Sequence, residues 1–436
     1  MKSSKYNYWI PYKNKMLLFN GITKKFIHLE TNIQEELKKI LKNPNSYENP
    51  DYRQLLANLE SGGFIIKDST DEFSIIETLT NNAINKKRLS VTVYPTFKCN
   101  FSCWYCIQDH REEFMSQEVT NRLIKMIERY LTTNNIEELE ICWFGGEPLL
   151  CFESHMRPVI NTVRVIAQKH NVKFFNTITT NGALFTKDMI LEMNNFNMRL
   201  FQITLDGDRE NHNKTRNIPD KSSFDIILGN IVALLDNLKN ANICLRFNYT
   251  NVNILSIEKM VSQMNACIPY SYRSKFKIFP RKIWQVNEEA ISLQDVQRMF
   301  KLIKENGYNL FEYDMPLDNL VCEAERIHKY TIYHNGKADK CENVQPEYAA
   351  YHLSEDGELI RDKPGLLCDK VRFIKHKECI HCKHLPICLG PCKVALKEIE
   401  RTGVFECTEK TRDFGNLQRI IHYCESVLAT QNTQPI

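Results

Sequence analysis

The sequence lacks the features that mark a membrane, secreted or nucleic-acid-binding protein. It has no run of about eighteen apolar residues, the length that a membrane-spanning helix requires. Its first nine residues include no apolar signal core. The formal net charge is only +4 over 436 residues, and no long basic run is present, which argues against a nucleic acid partner. We therefore expect a cytoplasmic protein with neither a membrane nor a nucleic acid as partner.

Cysteine, by contrast, is abundant. The chain contains 16 cysteines, and disulfide bonds are rare in the reducing cytoplasm, so this number indicates metal centres or catalytic thiols. Half of the cysteines lie between Cys322 and Cys407, and such clustering favours metal centres over scattered core cysteines. Isolated cysteines inside strand or helix patterns are expected to be small buried hydrophobic residues; these are Cys142, Cys151, Cys244 and Cys267.

The middle of the chain predicts an α/β fold. Between residues 89 and 306, strand patterns alternate with helical patterns. Six strands are predicted near residues 89–94, 139–144, 172–179, 198–205, 243–250 and 276–280. Right-handed crossovers between them imply a parallel sheet, and six curved strands would form a partial (βα)6 TIM-like barrel. Ligands of such sheets bind beyond the carboxyl ends of the strands.

Three cysteines follow the first predicted strand. Cys99, Cys103 and Cys106 have the spacing C-x3-C-x2-C, so one short loop can direct three thiolates at a common point. A cubane iron–sulfur cluster normally takes four cysteines, and three would leave one iron open to a substrate or cofactor. A zinc site would need a fourth ligand, which His110 could supply. The loop alone leaves both metals open.

A second motif, Gly145-Gly146-Glu147-Pro148, closes the second predicted strand. With the cysteine loop, it resembles the radical S-adenosylmethionine (SAM) superfamily, whose hallmarks are CxxxCxxC after the first barrel strand and GGEP after the second. The resemblance implies a [4Fe–4S] cluster on the three cysteines whose open iron binds SAM. One electron would then cleave SAM to methionine and a 5′-deoxyadenosyl radical, which takes hydrogen from a peptide.

The resemblance also implies a set of SAM contacts. In the family, the GGEP segment receives the SAM amino group, and missing side chains let its backbone approach a ligand. Polar residues ending strands three and four would face the SAM carboxylate and ribose, although Asn181 and Asp206 could equally be turn residues. Arg216 ends the pattern His212-Asn-Lys-Thr-Arg216 and would lie near the carboxylate, or form a surface salt bridge. The expected contacts are Tyr105, Gly145, Gly146, Glu147, Pro148, Thr180, Asn181, Asp206 and Arg216.

The C-terminal cysteines form a pattern of their own. It is C-x13-G-x4-C, a gap, C-x2-C-x5-C-x3-C, a gap, and C, and it resembles the SPASM domain, which carries auxiliary [4Fe–4S] clusters. A zinc ribbon is the alternative. The resemblance implies three [4Fe–4S] clusters in the whole chain. The outer cluster would take Cys379, Cys382, Cys388 and Cys407, and the inner one Cys322, Cys341 and Cys392 with His328, Cys368 or a substrate thiol as the fourth ligand.

Glu342 directly follows Cys341. Anaerobic sulfatase-maturating enzymes share this architecture and carry an acidic residue, an aspartate, at that position, where it takes a proton from the substrate. Glu342 is therefore a candidate catalytic base, and a solvated surface carboxylate is the alternative.

The first 80 residues predict a separate α+β unit. Strands near residues 6–12, 15–20 and 26–29, followed by helical patterns and a returning strand, resemble the winged-helix RiPP recognition element, which binds the leader of a ribosomally made precursor peptide. An N-terminal scaffold is the alternative. The expected organisation is a recognition-element-like domain at 1–80, a radical SAM core at 85–310, a SPASM domain at 315–415, and a C-terminal helix and tail at 416–436.

The leading expectation is a radical SAM peptide maturase that forms a thioether or carbon–carbon cross-link in a precursor peptide. Its electron would come from a reductant such as flavodoxin or ferredoxin. A formylglycine-forming enzyme of the sulfatase-maturating type is the enzymatic alternative, and a cluster- or zinc-containing peptide-binding protein is the non-enzymatic one. Release of 5′-deoxyadenosine would separate an enzyme from a binding protein.

Overall fold

A computed structural model describes residues 1–47, 49–238, 241–283, 291–310, 321–363, 377–405, 407 and 416–431. The chain forms two compact units. One comprises Met1–Lys86, Glu312–Ile327 and Leu367–Ile436, and the other comprises Lys87–Phe311 and His328–Leu366. The range expected as a SPASM domain therefore contributes residues to both units. No helix in the described ranges is long and apolar enough to cross a membrane.

The larger unit is built around one sheet with helices between its parallel strands. Its elements in chain order are β6 (Arg88–Val93), α4 (Gln117–Thr133), β7 (Glu138–Trp143), α5 (Arg157–Lys169), β8 (Lys173–Thr180), α6 (Lys187–Met193), β9 (Met198–Leu205), α7 (Arg209–Thr215), α8 (Ser223–Asn237), β10 (Ile243–Tyr249), α9 (Ile257–Cys267), α10 (Tyr270–Arg273), β11 (Phe276–Lys282), α11 (Leu293–Glu305), β12 (Asn309–Leu310), β13 (Lys329–Ile332), β14 (Lys337–Asp339), β15 (Tyr351–Leu353) and β16 (Leu359–Arg361).

The six predicted strands are all present, as β6 to β11, and they lie side by side in chain order with parallel pairing. Both faces of this sheet are covered, as in β6, where only Arg88 is less than fully buried. The helices turn one apolar face inward; in α4 this face includes Leu123, Met126 and Ile127. Since all six strands run in the same direction, their carboxyl ends meet at one edge of the sheet.

The sheet continues beyond the six predicted strands. On one side β12 pairs with β11 in parallel, and on the other β13 pairs with β6, also in parallel. Strands β14, β15 and β16 then extend the sheet with antiparallel pairing. Strand β13 comes from the range expected to belong to a C-terminal domain, so the first strand of the predicted barrel is not an edge of this sheet.

The smaller unit begins with a short α+β segment. Its elements are β1 (Lys2–Ser3), β2 (Asn7–Tyr12), β3 (Lys15–Asn20), β4 (Phe26–Leu29), α1 (Thr31–Lys42), α2 (Arg53–Ser61), β5 (Ile65–Ile66) and α3 (Glu72–Ile84). Strands β2, β3 and β4 form an antiparallel sheet in that order, as the sequence predicts, and β1 pairs with β5. One face of this sheet packs on α1 and α2 through residues such as Leu18 and Leu37.

The C-terminal residues complete the same unit. They form α12 (Lys377–Ile380), α13 (Leu385–Cys388), α14 (Lys393–Thr402) and α15 (Asn416–Gln431). The other face of the β2–β4 sheet packs on α13 and α15, where Ile387, Ile420 and Cys424 are buried against Phe19. The predicted C-terminal helix is thus present with its apolar face buried.

Two of the four isolated cysteines differ from the expectation of burial. Cys151 and Cys244 are buried, Cys142 is half-buried, and Cys267 is exposed. Cys267 is the last residue of α9 and does not belong to the buried face of this helix, which includes Met260, Val261 and Met264.

Candidate functional site

The predicted site residues meet at the carboxyl ends of β6 to β10. One cavity there is lined by the cysteine loop after β6, the glycines after β7, and polar residues of β8, β9 and β10. The residues expected to bind a cluster or SAM that line it are Cys99, Cys103, Tyr105, Cys106, Gly145, Gly146, Thr180, Asn181 and Arg216. Glu147 and Asp206 are buried behind this lining, with 0% and 1% exposure. The structure therefore brings nearly all of these residues to one place.

The cysteine loop directs its three thiols into this cavity. The Cys106 amide donates to the Cys103 carbonyl at 3.0 Å, which closes the end of the loop. Burial, with smaller contributions from Asp206, Cys106 and Cys99, raises the pKa of the Cys103 thiol to about 11, although Arg216 opposes the rise. A bound cation would stabilise the thiolates of these three cysteines.

The donor set of the loop fits an iron–sulfur cluster with one open iron. His110, the possible fourth ligand of a zinc site, has its Nε2 atom 3.1 Å from the Cys106 sulfur. Among the residues that the structure describes, no three Cys, His, Asp or Glu side chains already stand at metal-binding distances from one another. The three sulfurs would therefore have to move together to hold either metal.

The two glycines after β7 make room for the cysteine loop. A Cβ atom at Gly146 would lie 2.1 Å from the Lys98 carbonyl oxygen, and one at Gly145 would lie 2.5 Å from that of Thr96. Gly145 also has a φ angle of +124°, which residues with side chains rarely adopt. The Gly146 amide donates to the Thr96 carbonyl at 3.0 Å. In this structure, the backbone of the cysteine loop is therefore the group that lies close to these glycines, where the sequence had predicted a ligand.

Glu147 joins the ends of β7 and β8 through three hydrogen bonds. Its Oε1 accepts hydrogen bonds from the Thr180 hydroxyl at 2.7 Å and the Leu149 amide at 3.0 Å. Its Oε2 accepts one from the Asn181 amide at 2.8 Å. Complete burial raises the pKa of Glu147 to about 7, although these hydrogen bonds oppose the rise. In this structure, Glu147 positions Thr180 and Asn181 and does not itself line the cavity.

Asn181 is a turn residue, which was the alternative to its predicted contact with SAM, and it also contacts the cysteine loop. Its Oδ1 accepts from the Ala183 amide at 3.0 Å, as in an Asx turn. Its Nδ2 donates to Asn100 Oδ1 at 2.7 Å, between two cluster cysteines in the sequence. The end of β8 is thus fixed to the loop after β6 by a side-chain hydrogen bond.

A second network fixes Tyr105 over the end of β9. Arg216 donates from Nε to Asp206 Oδ2 at 2.7 Å and from a terminal nitrogen to the Tyr105 hydroxyl at 2.6 Å. The Tyr105 hydroxyl in turn donates to Asp206 at 2.7 Å. Asp206 and Arg216 are almost fully buried, so the salt bridge is an internal one and not the surface pair considered above. Asp206 is likewise an ion-pair partner and not a turn residue.

Asn248, near the end of β10, belongs to this network and was not predicted. Its Nδ2 donates to Tyr105 Oη at 2.9 Å and to Asp206 Oδ1 at 3.1 Å. The signal available in the sequence was its position, since Arg246 and Asn248 alternate with apolar residues at the end of the fifth predicted strand. Because no glycine or motif follows them, the pattern did not stand out.

His212 supports the same network from behind. The Asp206 amide donates to its Nδ1 atom at 3.1 Å, so the ring is neutral. Burial lowers the pKa of His212 to about 3. Asn213, which stands where the family more often has aspartate, accepts from the Phe224 amide at 3.0 Å in the first turn of α8. These contacts hold α7 and its terminal Arg216 against the sheet.

Four of the C-terminal cysteines form a second group, in the smaller unit. Burial, together with the neighbouring Cys388, Cys382 and Cys407, raises the pKa of Cys379 to about 12. These are the four cysteines expected to hold the outer auxiliary cluster. Of the inner set, Cys322 and Cys392 belong to the smaller unit and Cys341 to the larger one.

Three other candidates have separate positions. His328 precedes β13, and its Nδ1 atom is 2.7 Å from the Tyr130 hydroxyl. Cys368 lies outside the described residues. Glu342 is exposed and does not line the cavity; its carbonyl oxygen accepts from the Tyr94 hydroxyl at 3.2 Å. The catalytic role of Glu342 stays a prediction.

Comparison with known proteins agrees with this site. Residues 93–261 match the model of the Radical SAM superfamily. The chain is 24% identical to the radical SAM cyclopropyl synthase TigE of Paramaledivibacter caminithermalis over 88% of each chain. It is 30% identical to the serine-type anaerobic sulfatase-maturating enzyme of Bacteroides thetaiotaomicron over 32% of this chain and 34% of that enzyme. The solved structure of native anSMEcpe with bound AdoMet has a TM-score of 0.57 at 18% identity, and covers 79% of this chain and 100% of that one.

The matched range contains the cysteine loop, the glycines after β7, and the Tyr105–Asp206–Arg216 network. A chain with these parts is not explained by the non-enzymatic alternative, a cluster- or zinc-containing peptide-binding protein. Residues 93–261 therefore form a radical SAM domain, and the chain is an enzyme similar to the radical SAM synthase TigE.

Proposed function

We propose that this enzyme is a radical SAM peptide maturase that forms a thioether or carbon–carbon link in a ribosomally made precursor peptide. One observation carries the proposal: three cysteine thiols line the same cavity as the polar ends of strands β8 to β10. The similarity to a cyclopropyl synthase over 88% of both chains supports chemistry at carbon. The solved structure of anSMEcpe with AdoMet and the Cp18Cys peptide, with a TM-score of 0.55, shows that this fold can hold both molecules together.

Cys99, Cys103 and Cys106 would hold three irons of a [4Fe–4S] cluster. Bound with SAM, this cluster supplies the electron that cleaves the sulfonium to a carbon-centred radical. The protein orients these groups: Gly145 and Gly146 press the backbone after β7 against the cysteine loop. Thr180 and Asn181 are fixed by Glu147, and Tyr105 is fixed by Asp206, Arg216 and Asn248. Because these polar groups are already hydrogen-bonded, they need little reorganisation when SAM binds, whereas the three sulfurs must still move together to hold the cluster.

Two auxiliary clusters complete the proposal. The proposed ligands of the outer cluster are Cys379 and the three cysteines near it in the smaller unit, Cys382, Cys388 and Cys407. For the inner cluster we keep Cys322, Cys341 and Cys392 on the strength of their spacing in the sequence. Its fourth ligand would be His328, Cys368 or a thiol of the substrate.

The first 80 residues are the proposed leader-binding domain. In the described chain, β4 pairs with β3 on one side only, so its other side is an edge to which an extended peptide could add. Backbone hydrogen bonds to such an edge supply affinity without requiring a particular side chain. A small reductant such as flavodoxin or ferredoxin is the proposed electron donor.

Formation of formylglycine is the second candidate function. The similarity to a serine-type sulfatase-maturating enzyme favours it, although this similarity covers only 34% of that enzyme. The three-stranded sheet at the N-terminus and its helices favour the first function, because a sulfatase-type substrate requires no leader-binding domain. A short cysteine- or glycine-rich open reading frame beside the gene would support the first function, and a sulfatase gene the second.

The test is SAM cleavage by protein purified without oxygen. Reduced with dithionite, the wild-type protein is expected to contain iron and sulfide and to release 5′-deoxyadenosine. Alanine substitution of Cys99, Cys103 and Cys106 should abolish this release, while Cys267→Ala, which removes an exposed cysteine of the same unit, should leave it unchanged. A zinc-loaded protein that does not cleave SAM, or cleavage that persists without the three cysteines, would overturn the proposal.

A further inference from the structure

The cavity of the larger unit contains a cation that the proposed SAM contacts do not use. Arg246, on β10, lines the cavity beside Thr204 and Asn248. Its Nε donates to Asn248 Oδ1 at 2.7 Å. No carboxylate of the described residues forms an ion pair with it, whereas Arg216, the other arginine of the cavity, is paired with Asp206 at 2.7 Å. The charge of Arg246 is therefore not neutralised in the way that the charge of Arg216 is.

The surroundings of Arg246 are unfavourable for an isolated cation. Burial lowers the pKa of Arg246, and the neighbouring Arg281 and Arg216 also lower it, whereas Tyr105 and Asp206 oppose the fall. Arg281 comes from the next strand, where it pairs in register with Asn248. Two guanidinium groups on adjacent strands repel each other unless an anion lies between them or beside them.

The cysteine loop is not the natural counter-ion of this cation. The arginine that acts on the thiols of both Cys99 and Cys103 is Arg216. Arg246 on β10 pairs in register with Thr204 on β9. Each of these two residues lies two positions before a residue of the network: Arg246 before Asn248, and Thr204 before Asp206. Arg246 therefore lies farther from the carboxyl end of β10, the fifth strand of the predicted barrel, than Asn248 of the Tyr105–Asp206–Arg216 network does.

We propose that Arg246 binds a carboxylate of a ligand that enters this cavity. With Nε held by Asn248, its two terminal nitrogens have the fork geometry that matches the two oxygens of a carboxylate. Two ligands carry such a group: a peptide substrate with an acidic side chain, and SAM through its methionine carboxylate. The peptide alternative rests on the function proposed above; the binding of a carboxylate does not.

The experiment measures how fast phenylglyoxal, an arginine-selective reagent, modifies Arg246 in the anaerobically reconstituted wild-type enzyme, by peptide mapping. N-Acetyl-L-glutamic acid α-amide is compared with its glutamine counterpart, and SAM is compared with decarboxylated SAM. Arg199 is the matched control in the same digest, because it is an exposed arginine of β9 that stacks on Phe175 at 4.9 Å and does not line the cavity.

In each pair, we expect the compound that carries the carboxylate to slow modification of Arg246 at least threefold. The compound without the carboxylate should not slow it, and neither compound should affect Arg199. Protection by the glutamate compound alone assigns the site to an acidic side chain of the substrate. Protection by SAM but not by decarboxylated SAM, with none from the glutamate compound, assigns it to SAM. Equal rates with carboxylate and neutral ligands in both pairs would overturn the proposal.

A second measurement separates this inference from the proposed function. Arg246→Gln should weaken binding of the protecting ligand at least tenfold in calorimetry, and Arg199→Gln should not. SAM cleavage by the wild-type sample is measured in parallel. Protection of Arg246 without SAM cleavage would contradict the proposed function and support the carboxylate site. SAM cleavage without carboxylate-specific protection would support the proposed function and overturn the carboxylate site.

Discussion

The two groups of cysteines in this chain are held in place in different ways. Cys99, Cys103 and Cys106 lie in a loop whose neighbours are fixed by hydrogen bonds from the ends of β7, β8 and β9. Cys379, Cys382 and Cys388 lie in or between α12 and α13, helices of four residues each. Helices this short are not stable by themselves. The loop of the first group is therefore held by the surrounding protein, even though its three sulfurs must move together to hold a metal, whereas the segment of the second group would depend on the metal that it holds.

This difference predicts which site should keep its folded structure when its cluster is lost. Where a metal completes a small, poorly supported segment, its binding free energy is also folding free energy. Where a cluster is added to a preorganised barrel mouth, its loss removes activity and leaves the fold. Four predictions test this distinction.

The largest effect is expected from Cys379→Ala. We expect hydrogen exchange of the amides in residues 377–405 to rise by about tenfold or more, because two short helices would lose the cluster that links them. Cys103→Ala should change exchange of β6 to β11 by less than about twofold. Equal exchange changes in both variants would show that the two sites depend on metal to the same extent.

Asp206→Asn is expected to destabilise the larger unit by about 3–5 kcal/mol, because it leaves the Arg216 guanidinium buried without its carboxylate. Asp225→Asn is the matched control. It removes an ion pair with Arg209 of the same 2.7 Å length whose side chains are 46% and 45% exposed, and should cost less than about 1 kcal/mol. Urea unfolding followed by circular dichroism measures both; similar losses would contradict a preorganised internal network.

His212 predicts a dependence of stability on pH. Its pKa is lowered to about 3 in the folded protein, so between about pH 6.5 and 3 the unfolded chain binds a proton that the folded protein does not. Stability should therefore fall with acidification by about 1.4 kcal/mol per pH unit below pH 6.5. His212→Asn should remove this part of the slope. Urea unfolding of both proteins at pH 7, 6 and 5 measures it, and parallel slopes would contradict the assignment.

Gly146→Ala is expected to cost about 1–3 kcal/mol and to reduce the iron bound after reconstitution, because the new Cβ would meet the Lys98 carbonyl and displace the cysteine loop. Gly229→Ala, in α8 with no atom within 4 Å of the added Cβ, should instead stabilise by about 0.5–1 kcal/mol. Thermal unfolding and iron content are the measurements. A tolerated Gly146→Ala would mean that the loop is not held by the glycines.

The sequence was sufficient to predict the six strands and the position of the cysteine loop. Period-two patterns bounded by turn residues define β6 to β11, and parallel strands bring their carboxyl ends together without any further information. The same reasoning correctly placed Tyr105, Asn181 and Arg216 around one cavity. What it could not give was the partner of each polar group.

The contacts that the sequence did not reveal have a common physical origin. Gly146 contacts the cysteine loop, Glu147 accepts three hydrogen bonds, and Asp206 neutralises Arg216. The assignment of these three residues to SAM stays a prediction. Each pairing joins residues distant in sequence, so periodicity and motif spacing carry no trace of it. Asn248 was missed for the same reason.

The pairing of β13 with β6 has a practical consequence for the boundaries of a catalytic fragment. A chain cut near residue 310, as the expected end of the barrel at 310 would suggest, would remove Lys329–Ile332. The amides and carbonyls of β6 that pair with β13 would then have no partners, while those that pair with β7 would keep theirs. A bare strand edge beside the cofactor cavity would recruit other chains and precipitate. A truncated protein that stays monodisperse should therefore retain the return strands up to Arg361.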